Sequence, residues 1–357
     1  MCTCQPDRSE YDVLRPQDPV QSFNFLADRS KGSKFSAIDP LSQYATSFSF
    51  SHGTVDFGPL MVYALMANGD VYVMGPVLPL HAEVPAAYLQ SLQAWATERQ
   101  KRLKGDGKHG AEHASLLGRA GLQVQWVDAL MRQAEKKDEE PSPEQPRKHR
   151  RGFGLRDPSP ERTPERTPPR PGFVHVHPPH LTPSGSPAPG VHRPLLRQGP
   201  VLFDPAPQEV GNGDEIDEQI ASDIVVFPAV PAEVDSSPSE DAQPINVVGI
   251  AWSGGRIDIG VEEVAPEPRW LSSRDPVDAE IVVPIVESVL ASYPPVEPEA
   301  LAINAPRFVA DPIHRDVFYV QSAFSVDTVS VAPWIGKLNG GSGDLPPSDV
   351  AALVIAS

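Results

Sequence analysis

Proline is the residue that most limits how this chain can fold, since it occupies 42 of the 357 positions. That share is more than twice the usual ~5%. A proline inside a helix removes a hydrogen-bond donor and clashes with the preceding turn. We therefore exclude a long coiled coil or a helical solenoid for most of the chain.

The charge balance excludes a second class of protein. The chain has 30 Lys and Arg against 47 Asp and Glu, which gives a formal net charge of −17. Binding to a phosphate backbone requires a surplus of positive side chains. We therefore expect no direct nucleic-acid partner.

Cysteine usage and hydrophobicity indicate the compartment. Cys2 and Cys4 are the only cysteines. They supply two metal ligands at most and no disulfide framework, which is typical of reduced thiols in a reducing compartment. The first thirty residues lack a secretory apolar core, and no run of 18 apolar residues predicts a membrane span. The sequence predicts a soluble intracellular protein without membrane insertion.

Two β-hairpins have the clearest local signals. Apolar runs at 60–66 and 71–74 flank a turn that contains Asn68-Gly69, and runs at 245–252 and 256–261 flank Gly254-Gly255. Asn-Gly between two β-rich runs favours a tight hairpin turn. Just before the first hairpin, Ser47 to Ser51 alternates polar and aromatic residues, which places Phe48 and Phe50 on one face of a strand.

Further segments have weaker signals. Three- and four-residue apolar spacing predicts a helix over 83–103 and a second over about 112–137, with Gly118 and Gly121 as possible interruptions. A third helix is expected near 282–293 despite Pro284. Shorter strands are expected at 199–203, 224–227, 317–320 and 326–331.

Repeated antiparallel hairpins with glycine-containing turns favour a mainly β architecture. A β-propeller is one solution, and a β-sandwich with large insertions fits almost as well. The large aromatic residues are expected to be core residues: Trp252, Trp270, Phe318, Tyr319 and Trp334.

The segment 138–194 has too few apolar residues to offset chain entropy, so we expect it to be disordered. It contains six Ser-Pro or Thr-Pro pairs that suit proline-directed kinases. Phosphorylation and an unmodified spacer are equally compatible with this composition. Its basic stretch 147–170 has acidic residues interspersed, which favours a solvated linker over an RNA-binding or nuclear-import patch.

Few residues have the chemistry of an active or metal site. His175, His177, His180 and His192 cluster within the spacer, but without cysteine or an ordered surrounding they do not predict a zinc site. Asp258, Glu262 and Glu263 suggest a carboxylate pair, yet Asp258 and Glu262 share one strand, and we interpret them as a solvated strand face. No phosphate-binding or nucleophile motif occurs. The sequence therefore predicts no catalytic, cofactor-binding or metal-binding residues.

Four stretches, in the same order along the chain, resemble motifs of one protein family. They are Leu65 to Pro76, Gly199 to Glu209, Val248 to Asp258 continuing to Arg269-Trp270, and Asp316 to Val320 followed by Pro333-Trp334. The family is that of fungal nucleoporin 82 and vertebrate nucleoporin 88, and the likeness extends over roughly residues 10 to 338.

The resemblance implies a partial β-propeller with a helical-pair insertion and long disordered Pro-rich loops. It divides the chain into an irregular lead-in with a first partial blade at 1–45, a hairpin with the helical insertion at 46–137, the spacer at 138–194, the remaining blades at 195–338 and a flexible tail at 339–357. The absence of opening blades and of C-terminal heptads predicts a fragment of the family's full length, in which an exposed sheet edge favours aggregation.

By the same resemblance, the protein is a non-enzymatic scaffold on the cytoplasmic side of the nuclear pore complex, and it supports mRNA export and protein transport. Its partners would be other nucleoporins: the tail of a Phe-Gly nucleoporin and an autoproteolytic-type nucleoporin domain. The chain itself has only two Phe-Gly pairs, at Phe57 and Phe153, which indicates a scaffold and not a transport barrier. Two alternatives remain: an adaptor regulated by proline-directed phosphorylation, and a propeller-like hydrolase.

Overall fold

The computed structural model describes residues 7–12, 15–25, 41, 44–51, 56–80, 82–107, 110–138, 171–179, 181, 194–204, 220–229, 245–253, 257–262, 266–271, 285–291, 307–311, 317–321, 326–330 and 355–356. The chain divides into two compact units. The sheet unit comprises Met1–Leu78 with Leu181–Ser357, and the helical unit comprises Pro79–His180.

The described residues form short strands and two long helices. The strands of the sheet unit are β1 (Asp7–Asp12), β2 (Arg15–Asn24), β3 (Ala45–Phe50), β4 (Val62–Met66), β5 (Val71–Met74), β8 (Leu202–Asp204), β9 (Ala221–Ala229), β10 (Ile245–Trp252), β11 (Ile257–Glu262), β12 (Ile285–Ala291), β13 (Arg307–Ala310), β14 (Val317–Gln321), β15 (Val326–Ser330) and β16 (Ile355–Ala356). The helical unit contains β6 (Ala82–Pro85), α1 (Ala86–Gly105), α2 (Ala111–Asp138) and β7 (Phe173–Val176).

Four sheets make up the described part of the sheet unit: the β1–β2 pair, β3–β4–β5, β8–β12–β11–β10–β9 and β13–β14–β15–β16. All neighbours pair antiparallel except β8 and β12, which are parallel. Three of these sheets contact one another through edge strands, because β3 and β13 both pack against β9. Small, mainly antiparallel sheets arranged side by side are the arrangement that blades have in a propeller.

The three-stranded sheet β3–β4–β5, which we call the first sheet, follows the local signals closely. Strands β4 and β5 form the expected hairpin around residues 67–70, and Gly69 has a φ of +92°, which glycine adopts without steric cost. Residues 198–201 continue this sheet beyond β5. The backbones of Val73 and Gln198 exchange two hydrogen bonds of 2.8 Å, and the Val201 N–H donates to Val71 O at 2.8 Å.

The five-stranded sheet is centred on the second expected hairpin. Strands β10 and β11 pair from Asn246 opposite Glu262 to Ala251 opposite Ile257. The helix expected over 282–293 is wrong, since β12 occupies 285–291 and pairs with β11 through residues 286–291. Branched residues such as Ile285 and Val286 favour a strand once a partner strand is available.

The helical unit contains the expected pair of helices. Gly118 and Gly121 do not interrupt α2, which runs as one helix of 28 residues. The buried side of the pair contains Leu92, Trp126 and Leu130. None of the described helices is long and apolar enough to cross a membrane.

One strand lies where the sequence predicts disorder. Phe173–Val176 falls within the 138–194 spacer, yet as β7 it pairs with β6, and β7 also contacts α2. The partner strand lies some ninety residues earlier, so no local pattern in the spacer indicates this pairing. Residues 139–170 and 182–193, which include all six Ser-Pro and Thr-Pro pairs and the basic stretch, lie outside the described residues.

Candidate functional site

The first sheet carries two exposed aromatic side chains at its edge. Phe48 and Phe50 of β3 lie opposite Ala64 and Val62 of β4, and residues opposite each other in antiparallel strands share a face. The two rings are edge-to-face with centroids 6.0 Å apart. Phe48 is 44% exposed and Phe50 is 47% exposed, so the prediction that they share a face is confirmed and both rings are partly open to solvent.

This exposed pair continues an apolar face that is covered elsewhere in the sheet unit. Val62 and Ala64 belong to a buried cluster with Phe25, and Phe23 packs against the same cluster. We call Phe48 and Phe50 the aromatic edge. Because the aromatic edge extends a face that is already used for packing, it is suited to apolar contact with another polypeptide.

Glu262 is a buried carboxyl with a raised pKa. It is 3% exposed, and its two carboxylate oxygens accept hydrogen bonds from Tyr63 Oη at 2.8 and 2.9 Å. Oε2 also accepts a hydrogen bond from Asn246 Nδ2 at 2.9 Å. Burial raises the pKa of Glu262 to about 7, while the bonds from Asn246 and Tyr63 lower it in part. Burial also raises the pKa of Tyr63 well above its ordinary value, and the negative charge of Glu262 adds to the shift.

Asp258 lies on the same strand and is 2% exposed. Its Oδ2 accepts a hydrogen bond from Trp252 Nε1 at 2.7 Å. The interpretation of Asp258 and Glu262 as a solvated strand face is therefore wrong, because both carboxyls are buried and bonded to neighbouring side chains. Because their hydrogen bonds are made to buried side chains of the same protein, we interpret both carboxyls as structural and not catalytic. Glu263 lies outside the described residues.

Asp223 of β9 connects three sheets through its carboxylate. Oδ1 accepts a hydrogen bond from Ser47 Oγ of β3, and Oδ2 accepts one of 2.7 Å from the Phe308 N–H of β13. Ser49 of β3 also accepts a 3.0 Å bond from the Val226 N–H of β9. Nothing in the sequence around Asp223 marks it, because its partners lie 176 and 85 residues away.

The two described histidines of the predicted cluster have separate partners. His175 Nε2 lies 3.4 Å from Glu83 Oε1 across the β6–β7 pair. His177 Nδ1 contacts Leu80 O, and the backbone of His177 is bonded to Gln133. Within the described ranges, no group of three His, Cys, Asp or Glu side chains is placed to hold a metal ion. His180, His192 and both cysteines are not among the described residues.

The aromatic residues that were expected in the core are mostly there. Trp252, Trp270 and Phe318 are buried, and Phe318 contacts the rings of Phe227 and Phe308 with centroids 5.4 and 5.3 Å away. Tyr319 is only half-buried and donates from Oη to Asp311 Oδ2 at 2.7 Å. Trp334 lies outside the described residues.

Comparison with known proteins identifies the fold. No protein-family model and no curated protein sequence matches the chain. Among solved structures, it is similar to a chain in the crystal structure of the Chaetomium thermophilum heterotrimeric Nup82 NTD–Nup159 TAIL–Nup145N APD complex, with 18% identity and a TM-score of 0.54. The match covers 94% of this chain and 54% of that one.

A chain in the structure of the yeast heterotrimeric Nup82–Nup159–Nup116 nucleoporin complex also matches, with 14% identity, a TM-score of 0.48, and coverage of 89% of this chain and 56% of that one. The protein thus spans about half the length of the first solved chains that it matches. The mainly β, propeller-like fold with a pair of helices that was predicted from the sequence is confirmed by the first of these matches.

Proposed function

We propose that this chain is a non-enzymatic scaffold of the nuclear pore complex that binds other nucleoporins. The observation that carries the proposal is the fold shared with a chain of the Chaetomium complex over 94% of this chain. The four motifs that resemble the nucleoporin 82 and 88 family support it independently, because they are read from the sequence and not from the fold.

The chemistry of the described residues supports a binding role over a catalytic one. The carboxyls with the most unusual surroundings, Asp258 and Glu262, are buried and bonded to Trp252, Tyr63 and Asn246. A hydrolytic pair needs two carboxyls that reach a substrate. The surface instead offers the aromatic edge, and we propose that an apolar segment of another nucleoporin packs on it.

The finer assignment follows from the family resemblance. We propose that the protein acts on the cytoplasmic side of the pore, in mRNA export and nucleocytoplasmic transport. Its partners there would be the tail of a Phe-Gly nucleoporin and an autoproteolytic-type nucleoporin domain.

Localisation and co-purification test the general role. A fluorescently tagged full-length chain, expressed in its own cells, should mark the nuclear rim, and affinity purification should recover other nucleoporins. A diffuse signal with no nucleoporins recovered would contradict the proposal. Immunogold labelling would show on which side of the pore the protein lies.

The aromatic edge has a separate test. Replacing Phe48 and Phe50 with Ser together should lower nucleoporin recovery by roughly tenfold or more, because each buried aromatic side chain contributes about 1.5–3 kcal/mol. The matched control replaces Val309 and Val326, which are exposed on another sheet, with Ser. Equal recovery with both double variants would exclude the aromatic edge as the binding surface and leave the scaffold role untouched.

A further inference from the structure

The junction between the first sheet and the five-stranded sheet contains a buried carboxyl whose described partners are all neutral. Glu262 and Asn246 lie opposite each other in the β10–β11 pair, so their bond stays within one sheet. The bond from Tyr63 is different, because Tyr63 belongs to β4 and is 199 residues away along the chain. The Tyr63 hydroxyl therefore links the two sheets through this one carboxyl.

The junction favours the protonated form of this carboxyl over the ionised form. An ionised carboxylate that is withdrawn from water is costly unless a positive charge compensates for it. Tyr63 and Asn246 donate hydrogen bonds but carry no positive charge. A protonated carboxyl avoids this cost and keeps acceptor capacity for both donors.

The other charged groups near the junction are also negative. Asp56, which precedes β4, acts on Tyr63 and raises the pKa of its phenol. Asp258 lies four residues before Glu262 on β11, at a spacing that places both on the same face. On the other side of β11, the backbone of β12 pairs with β11, with Val286 in register with Glu262. No described Lys, Arg or His is among the groups that act on Glu262.

We propose that Glu262 is a proton-dependent link, which holds β4 to the β10–β11 hairpin more firmly when its carboxyl is protonated than when it is ionised. The proposal is independent of the pore function, because it is argued from the burial of Glu262 and its hydrogen bonds with Tyr63 and Asn246. It gives the sheet unit a contact whose strength changes with pH in the neutral range.

The direction of the effect follows from proton linkage. The pKa of Glu262 is about 7 in the folded chain, against an ordinary value of 4.5. The folded state therefore binds the proton more tightly than the unfolded state does. The stabilisation from this proton is complete below pH 4.5 and is lost as the pH rises to about 7. Over that range the unfolding equilibrium constant rises by up to roughly a hundredfold.

Hydrogen exchange of the full-length chain tests the link. Exchange of the β4 and β10 amides, corrected for intrinsic rates, is measured from pH 5.5 to 8.5. In the unaltered chain, protection of these amides should fall roughly tenfold or more across this range. Glu262→Gln, which cannot ionise, should make the protection nearly independent of pH. An equal pH dependence in both proteins would overturn the proposal.

Two further variants separate the link from a purely structural role. Asp258→Asn changes a second buried carboxyl on the same strand and should leave the pH dependence in place. Tyr63→Phe removes a hydrogen bond that lowers the pKa of Glu262, so it should move the midpoint to higher pH. If Tyr63 has a purely structural role, Tyr63→Phe should instead lower the protection of the β4 and β10 amides by the same factor at every pH.

A spectroscopic measurement keeps the proposal testable if Glu262→Gln does not fold. In the unaltered chain with 13C-labelled glutamate, one side-chain carboxyl should titrate near pH 7. If every glutamate titrates near its ordinary value, the proposal is wrong.

Discussion

Gly69 shows how one residue position can depend on two distant parts of the chain. It lies in the β4–β5 turn with a φ of +92°, where a side chain is strained. A Cβ at this position would also overlap Cη2 of the Trp252 ring, which comes from β10. The glycine is therefore required both by its own turn and by the sheet that packs against that turn.

We predict that Gly69→Ala lowers the free energy of unfolding of the sheet unit by about 1–3 kcal/mol, because strain and overlap act together. Urea unfolding followed by tryptophan fluorescence measures this change. Gly118→Ala is the matched control, since its Cβ meets nothing within 4 Å on helix α2. It should be neutral or stabilising by up to about 1 kcal/mol. A Gly69→Ala protein as stable as the original would contradict the close contact with Trp252.

At the scale of secondary-structure elements, one carboxylate connects the three edge strands β3, β9 and β13. Asp223 accepts hydrogen bonds from Ser47 on one side and from the Phe308 N–H on the other. A strand edge has unpaired backbone groups that need partners. Asp223 supplies such a partner to β13, so it performs between sheets what ladder hydrogen bonds perform within them.

We expect Asp223→Ala to destabilise the sheet unit by about 2–4 kcal/mol, because its bonds from Ser47 and the Phe308 N–H are lost together with the local bond from the Ile224 N–H. Ser47→Ala removes only the first of these bonds and should cost about half as much. Chemical unfolding of both variants gives the comparison. If the two variants are equally stable, the contact between Asp223 and β13 contributes nothing to the free energy of unfolding.

In the helical unit, a single side chain secures the end of a strand. Gln133 of α2 accepts a hydrogen bond from the His177 N–H at 2.8 Å and donates one to His177 O at 3.1 Å. These two bonds imitate a β-bridge, and they hold the residues after β7 against the helix. A glutamine on the outer part of a helix gives no indication of this role in the sequence.

Replacing Gln133 with Ala should raise the hydrogen-exchange rate of the His177 amide at least tenfold, because its acceptor is lost. Gln125→Ala, at an exposed position of the same helix, should leave that rate unchanged. A slow His177 amide in the Gln133→Ala protein would show that another group provides the protection.

On the scale of the whole molecule, the chain consists of two compact units with separate buried residues. Leu130 is fully buried in the helical unit, and Phe318 is fully buried in the sheet unit. Units that have their own apolar core tend to unfold as separate cooperative transitions.

We therefore predict two calorimetric transitions. Leu130→Ala should lower the Tm of one transition and Phe318→Ala the Tm of the other. In each case the free energy of unfolding of that unit should fall by about 2–5 kcal/mol. If both variants move the same single transition, the units unfold together.

Much of the architecture was predictable because its causes are local. The Asn68-Gly69 turn, the alternation around Phe48 and the helical spacing of α1 and α2 all act within a few residues. The helix expected over 282–293 failed for the opposite reason, since pairing with β11 outweighs the local pattern. Strand β7 was missed because β6, its partner, is far away along the chain.

The sequence alone determined the two hairpins, the paired helices and the mainly β class, since turn chemistry and periodicity are properties of neighbouring residues. Only the tertiary structure decided which faces are buried. Alternation on β11 cannot show that Asp258 and Glu262 are enclosed, because their burial depends on Trp252 beside them and on Tyr63 from another sheet. The aromatic edge is open for the same physical reason: whether an apolar face is covered depends on what packs against it, and that is settled by distant segments.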